Sequence, residues 1–230
     1  MDKWRLILLA FIIIGFASCK NEDESAAEKR TDSLFFDYSV TGEEGRETVS
    51  CLFRFRENDL DGDPVALSET VMLTFDGLEI AADSARMAGT FYEILLPLNQ
   101  FTGEHTVLFR APSGREYTET FYFQPFSLKN ELPATISRKN FKLELDGLED
   151  NDRVAIVMTD TAFLSNDLNR LDTVRNGVLS IPMERLSEVT NGPVVLQLHK
   201  EESKKLKNSP RQGGRLLISY GLQREFVLTD

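Results

Sequence analysis

The chain has 230 residues, of which 41% are hydrophobic and 27% charged, and its formal net charge at pH 7 is −11. Two domains of about 100 residues each fit this length, and the hydrophobic content is enough for ordinary folded cores. The acidic balance argues against non-specific binding to nucleic acid or to anionic membrane surfaces, because both repel a negatively charged protein. We therefore expect no nucleic-acid partner.

The chain begins with a short basic segment and an apolar run. Lys3 and Arg5 precede the run from residue 6 to residue 16, and two small residues follow it. This order is typical of a secretory signal peptide. The run is shorter than the roughly 20 apolar residues that span a bilayer. We predict that residues 1–18 form a signal peptide.

The end of that segment reads Phe16-Ala17-Ser18-Cys19. It resembles the lipobox of bacterial lipoproteins, in which the signal peptide is cut just before a Cys that becomes lipid-modified, although the family usually has Leu where Phe16 stands. The resemblance implies that Cys19 is the mature N-terminus and a membrane anchor, stabilised by about 0.8 kcal/mol per buried CH₂ of its acyl chains. The alternative is an ordinary signal peptide followed by an incidental cysteine.

Residues 19–33 carry many charges and, after Cys19, no large apolar side chain, which predicts a disordered tether. The sequence Lys20-Asn21-Glu22-Asp23-Glu24 resembles the export signal of surface-exposed lipoproteins in Bacteroidota-type bacteria. The resemblance implies a lipid-anchored protein of the outer membrane that faces outward. The alternative is a merely soluble tether, since acidic clusters are common in tethers.

A first series of short segments with strand-like alternation follows, and we assign it to a first domain, residues 34–126. In one of these strands Val49, Cys51, Phe53 and Phe55 alternate with polar residues. Cys51 is therefore predicted to be a small buried apolar residue. The predicted strands are 34–40, 49–56, 70–80 (broken at Asp76-Gly77), 90–98, 105–111 and 115–123.

A second series of strands defines a second domain, residues 127–230. A short helical turn is predicted between Pro182 and Gly192, because Pro favours the start of a helix and Gly its end. The predicted strands are 134–136, 141–145, 153–159, 177–181, 194–200 and 216–228.

Both halves contain a strand, a Pro, a short crossover, a Gly and a further strand. The repeat passes through Pro97 and Gly103 in one half, and through Pro182 and Gly192 in the other. The pattern resembles bacterial immunoglobulin-like or fibronectin-type modules, without the paired Cys and core Trp of antibody domains. We therefore predict an all-β protein with two tandem immunoglobulin-like antiparallel β-sandwiches.

The best metal candidate is an acidic loop with carboxylates at alternate positions, Asp59, Asp61 and Asp63. Such carboxylates can converge on Ca²⁺, which takes six to eight oxygen ligands. An EF-hand is excluded, because Pro64 stands where that loop needs Gly and Thr70 where it needs Glu. The alternative is a solvated acidic loop, in which Asp and Gly serve the turn.

The segment 200–215 is basic within an acidic protein and is predicted to be a long loop between the last two strands. Loops at the ends of sandwich domains often bind partners, and the positive charge of this one suits an anionic surface or an acidic partner. The alternative is a solvated, mobile hairpin end. The candidate binding residues are Lys204, Lys205, Lys207, Arg211 and Arg215.

No pattern indicates an enzyme or a resident cofactor. His105 and His199 lie in different domains without the spacing of a zinc site, and no nucleophile-elbow pattern is present. We predict a non-enzymatic cell-envelope lipoprotein that displays its two domains to a protein partner or in an envelope assembly. The alternative is a glycan-binding surface lipoprotein. Because Trp4 is in the signal peptide, such a protein would need a Tyr or Phe platform, and Tyr122 is predicted to be exposed.

Overall fold

The computed structural model describes residues 30–85, 89–162 and 164–230. The predictions for the signal peptide, for Cys19 and for the tether up to residue 29 lie outside these residues. No helix in the described part of the chain is both long and apolar enough to cross a membrane. The described chain is mostly β, as the sequence predicted.

The secondary structure consists of strands joined by short turns. Residues 30–32 are helical, and two 3₁₀ turns, Leu98–Gln100 and Arg138–Asn140, and a short helix, α1 (Met183–Leu186), interrupt the strands. The strands are β1 (Leu34–Glu43), β2 (Thr48–Glu57), β3 (Met72–Phe75), β4 (Leu78–Glu79), β5 (Ala82–Ala85), β6 (Gly89–Pro97), β7 (Gly103–Arg110), β8 (Glu116–Phe123), β9 (Ser127–Leu128), β10 (Thr135–Ser137), β11 (Lys142–Asp146), β12 (Arg153–Asp160), β13 (Leu168–Thr173), β14 (Val178–Ser180), β15 (Gly192–Lys205) and β16 (Gly214–Thr229).

The strands form one large sheet and two small ones. The large sheet has the order β13-β12-β15-β16-β1-β2-β6-β5, with β10 also paired to β16. The small sheets are β4-β3-β7-β8 in the first half of the chain and β14-β11-β9 in the second. The large sheet therefore contains strands from both halves.

The long strand β16 joins the two halves. Its beginning pairs in parallel with β1, from Phe36 opposite Gly214 to Glu43 opposite Gly221. Its end pairs in parallel with β10, and β15 pairs with it along the whole hairpin. The second half thus supplies a strand to the first. The prediction of separate domains 34–126 and 127–230 did not anticipate this pairing, because it joins residues that are far apart in the sequence.

Aromatic side chains fill the first half between the large sheet and the four-stranded sheet. Alternate residues of β2 are buried, as the sequence predicted. Phe36 and Phe55, on the large sheet, contact Phe109 on β7 with ring centroids 4.7 and 5.3 Å apart. Burial of each such ring stabilises the fold by about 1.5–3 kcal/mol, so this layer is a major source of stability.

Aliphatic side chains dominate the core of the second half. The inward residues of β12 and β15 are fully buried, and Phe141 contacts Phe226 on β16 at 5.6 Å between ring centroids. The predicted helical turn is confirmed: α1 begins directly after Pro182 and buries Leu186. The buried guanidinium of Arg138 donates hydrogen bonds to the carbonyl oxygens of Leu186 and Val189, which holds this turn in place.

The predicted strands need correction at four places, one of which is the two-residue strand β9, absent from the prediction. The predicted loop 200–215 is mostly strand, because β15 continues to Lys205 and β16 begins at Gly214, so the connecting turn is only 206–213. The edge strands β5 and β13 were missed, because their polar residues lack the apolar alternation of a half-buried strand.

Candidate functional site

The predicted basic loop is the end of the β15–β16 hairpin, and we call residues 200–215 the hairpin end. The pairing of β12 with β15 ends at Lys200, whereas β15 stays paired with β16 as far as Lys205. In the described chain, the segment 201–205 therefore lies at an edge of the large sheet. Charged side chains, Lys above all, oppose edge-to-edge pairing, so Lys204 and Lys205 protect this edge.

The turn of the hairpin end is docked against the first half. Leu206 is buried, and its N–H donates to the Gly214 carbonyl oxygen at 3.0 Å. The N–H of Lys207 donates to the carboxylate of Glu119 on β8 at 2.8 Å, and Glu119 is only 2% exposed. The turn therefore has a fixed position, which is unlike the mobile hairpin end considered from the sequence.

The five predicted basic residues have different environments. The Nε of Arg215 donates to Asp37 at 2.7 Å, and Arg56 contacts the other oxygen of this buried carboxylate at 3.5 Å. Arg215 therefore serves the pairing of β1 with β16. The side chain of Lys204 is half-buried, whereas Lys205, Lys207 and Arg211 are exposed. The prediction that these residues bind a partner stays a prediction.

The acidic loop has the geometry of a tight turn. The carboxylate of Asp59 accepts a hydrogen bond from the N–H of Asp61 at 2.9 Å, and Asn58 has a positive φ of 64°. No group of three or more His, Cys, Asp or Glu side chains in the described residues is arranged to hold a metal ion. The calcium site at Asp59, Asp61 and Asp63 stays a prediction, and the observed hydrogen bond serves the turn.

The reactive side chains serve the core. His105 is buried, with its Nδ1 2.7 Å from Asp76, its Nε2 2.6 Å from the Phe101 carbonyl oxygen, and its ring stacked on Phe101 at 4.0 Å. Cys51 is fully buried, and burial, with smaller contributions from Asp76 and Glu93, raises the pKa of its thiol. A neutral buried thiol is a poor nucleophile. The predicted burial of Cys51 is confirmed.

The structure singles out one tyrosine. Four of the five tyrosines are at most 7% exposed, whereas Tyr122 on β8 is 61% exposed. Its exposure was predicted from the alternation of its strand, and this is confirmed. The surroundings of Tyr122 were not predicted, because they are formed by residues from distant parts of the chain.

Tyr122 borders a cleft of about 360 Å³ where the two halves meet. We call this the junction cleft. Its polar side chains come from the end of β8, from the β11–β12 turn and from β15, and Tyr220 on β16 contributes an aromatic ring. The polar side chains are Gln124, Glu149, Asp152, Lys200 and Glu202.

The polar groups of the junction cleft are partly fixed. Lys200 Nζ lies 2.6 Å from the Asp152 carboxylate, which also accepts a hydrogen bond from the Glu149 N–H at 2.9 Å. The carboxylates of Glu149 and Glu202 are exposed and form no ion pair with another described residue. Burial raises the pKa of the Tyr220 phenol, and Glu44 raises it further. Tyr220 is therefore neutral at pH 7.

No protein-family model matches the chain, and no curated protein matches it in sequence. Distant similarity is found to solved structures of adhesins and immunoglobulin proteins. A tetra-tandem repeat in the extending region of a large adhesion protein has 15% identity and a TM-score of 0.25, with 84% of this chain and 49% of that chain covered. The chain therefore spans about half the length of that repeat structure.

Two further structures are similar in the same way. The Yersinia pseudotuberculosis adhesin InvE has 14% identity and a TM-score of 0.24, over 83% of this chain and 59% of that chain. DIP-gamma IG1+IG2 has 10% identity and a TM-score of 0.23, over 82% of this chain and 94% of that chain. These TM-scores are too low for a function or a shared fold to be taken from the matches.

Proposed function

We propose that the chain is a non-enzymatic lipoprotein of the cell envelope, anchored in the outer membrane through Cys19 and facing outward. Its two β units, in this proposal immunoglobulin-like, bind a protein partner or take part in an envelope assembly. The observation that carries the proposal is the sequence Phe16-Ala17-Ser18-Cys19 after an apolar run of signal-peptide length. The acidic residues that follow Cys19 support the outward-facing position.

The placement of the reactive side chains supports a non-enzymatic role. Both ring nitrogens of His105 lie within hydrogen-bond distance of an acceptor, and Cys51 is enclosed in the core. Such side chains stabilise a fold rather than contact a substrate. The exposed residues Lys205, Lys207 and Arg211 supply positive charge for an acidic partner, as proposed for the hairpin end.

The anchor is tested by replacing Cys19. The variant Cys19→Ser lacks the thiol that would carry the lipid, so the protein should move from the membrane fraction to the soluble fraction when cells are fractionated. Cys51→Ala is the matched control, because it removes the other cysteine from a buried position and should leave the protein in the membrane fraction. Cys19→Ser protein that stays in the membrane fraction would refute the proposed anchor.

A further inference from the structure

Tyr122 is exposed at a place where both halves of the molecule contribute side chains. Large aromatic residues usually bury most of their surface, so a tyrosine that is 61% exposed at the border of a cleft is informative. Its neighbours in β8 on the same face, Thr118 and Thr120, are small and polar. The face of the Tyr122 ring is therefore available to a ligand.

The junction cleft offers both donors and acceptors of hydrogen bonds beside this ring. Lys200 donates, Glu149 and Glu202 accept, and the amide of Gln124 can do both. A hydroxyl group likewise donates one hydrogen bond and accepts others. A ligand with several hydroxyl groups and an apolar face would match this combination of polar side chains and an exposed ring.

We propose that the junction cleft binds a short saccharide, with Tyr122 stacking on the face of a sugar ring and the polar side chains contacting its hydroxyl groups. The volume of about 360 Å³ lies at the lower end of the range of small-molecule sites, about 300–1,000 Å³. It suits a mono- or disaccharide rather than a long chain. The site goes beyond the proposed protein-partner role and does not depend on it.

The walls of the cleft are held in fixed relative positions. Residues of the paired strands β15 and β16 line it, and Arg224 on β16 forms a two-pronged ion pair with Glu44, which follows β1. The Lys200–Asp152 pair joins β15 to the β11–β12 turn. A preformed site loses little conformational entropy when it binds, which favours a small ligand with few contacts.

A cationic ligand is the main alternative to a neutral one, because the cleft holds the carboxylates of Glu149, Asp152 and Glu202 against the single charge of Lys200. The Lys200–Asp152 pair is neutral as a unit, so the charge that a cation would meet comes from Glu149 and Glu202. Glu149 and Glu202 are exposed, and exposed ion pairs contribute little binding energy. Saccharide binding at this site should consequently change little with salt concentration, whereas binding of a basic peptide would weaken as salt screens the charges.

The experiment measures binding of named saccharides to the full chain by saturation-transfer NMR and titration calorimetry. The panel is glucose, galactose, mannose, N-acetylglucosamine and disaccharides of each, with tetra-arginine as the cationic probe. At least one saccharide should bind, and Tyr122→Ala should weaken its binding by about tenfold, a loss of about 1.4 kcal/mol. Tyr122→Phe keeps the ring face and should bind nearly as well as the unaltered chain.

Leu95→Ala is the matched control, because Leu95 is an exposed apolar residue on β6 outside the junction cleft. This variant should leave binding unchanged. The proposal is overturned if no saccharide of the panel binds at millimolar concentration, or if Tyr122→Ala binds as well as Leu95→Ala. It is equally overturned if tetra-arginine alone binds, in a salt-dependent way, at Tyr122.

Discussion

Asp160 is a buried carboxylate that organises the loop after β12. It accepts hydrogen bonds from the N–H groups of Ala162 and Leu164, each at 2.7 Å, and from the N–H and hydroxyl of Ser165. These hydrogen bonds hold the pKa of Asp160 below its ordinary value despite burial, and the bond from the Ala162 N–H has the largest effect. The charged form is therefore the one that stabilises the loop.

This arrangement predicts a pH dependence. Because the pKa of Asp160 is lower in the folded than in the unfolded state, its stabilisation is complete above the unfolded value, about 3.9, and is lost as the pH falls through the folded value. Asp160→Asn should lower the melting temperature at pH 7, and the difference from the unaltered chain should narrow below about pH 4. Thermal melts of both proteins at a series of pH values from acidic to neutral measure this difference in melting temperature.

Asp167→Asn is the control for this prediction, since Asp167 is an exposed carboxylate in the same loop region. It should change the melting temperature little at any pH. A difference between Asp160→Asn and the unaltered chain that stays constant down to strongly acidic pH would contradict the assigned role of the Asp160 charge.

Burial of individual residues was predictable where a strand alternates regularly. The pattern around Cys51 placed its side chain in the core, where it lies, and His105 is buried as well. The partners of these residues were not predictable. Asp76 lies next to His105 only because the β3–β4 turn packs against β7, and a contact between separate strands leaves no periodic signal in the sequence.

At the scale of the element, Gly214 sets how closely β16 approaches β1. A Cβ at this position would lie 2.7 Å from the Phe36 carbonyl oxygen and 2.6 Å from a methyl carbon of Leu206. Both distances are shorter than real Cβ contacts, and the carbonyl oxygen belongs to the backbone. A side chain at position 214 would therefore push β16 away from β1 and displace the docked turn.

Gly214→Ala is accordingly expected to lower the free energy of unfolding by about 1–3 kcal/mol, as overpacking of a well-packed site does. Urea unfolding measures the change. Hydrogen exchange should also show loss of protection in β1, where the Phe36 N–H donates to the Gly213 carbonyl oxygen. Gln212→Ala, an exposed substitution two residues away, is the control. Equal stability of the two variants would contradict the close-approach argument.

The strands themselves were predictable to differing degrees. β2 and β8 alternate strictly between buried and outward residues, so their positions follow from the sequence. β13 lies at an edge and has mostly polar residues, so it shows no such pattern. The hairpin end was predicted as a loop because its residues are charged, yet charge is also what an exposed edge strand requires. Composition alone cannot separate these two cases.

At the scale of the whole molecule, the two halves share one sheet through the β15–β16 hairpin. Arg215 and Arg224 on β16 form ion pairs with Asp37 and Glu44 of the first half. Tyr220 contacts the rings of Phe123 and Phe126 at 6.0 and 5.4 Å between centroids. Such contacts couple the stability of one half to that of the other.

We therefore expect the chain to unfold in a single cooperative transition. Phe55→Ala in the first half and Leu196→Ala in the second each remove a fully buried side chain and should cost about 2–5 kcal/mol. Each variant should lower the midpoint of the same unfolding transition, as measured by circular dichroism and by tyrosine fluorescence. Thr118→Ala, on the exposed face of β8, is the control. Two separate transitions, each moved by only one variant, would show that the halves are independent.

The all-β class was predictable from alternation and turn residues, whereas the shared sheet was not. The two halves look alike in their strand, Pro, Gly order, which favours separate units. The parallel pairing of β1 with β16 depends on close approach at Gly214 and on the Asp37–Arg215 pair, and these involve positions that show no local pattern.

The pairing of β1 with β16 also bears on how the molecule is made. Asp37 and Arg215 are 178 positions apart, so the first strand leaves the ribosome long before its partner exists. Until β16 emerges, the edge of β1 that it will cover carries unpaired backbone groups, which are prone to wrong pairing. Completion of the first half is thereby tied to the synthesis of β16, and a chain stopped before β16 lacks a strand in each half.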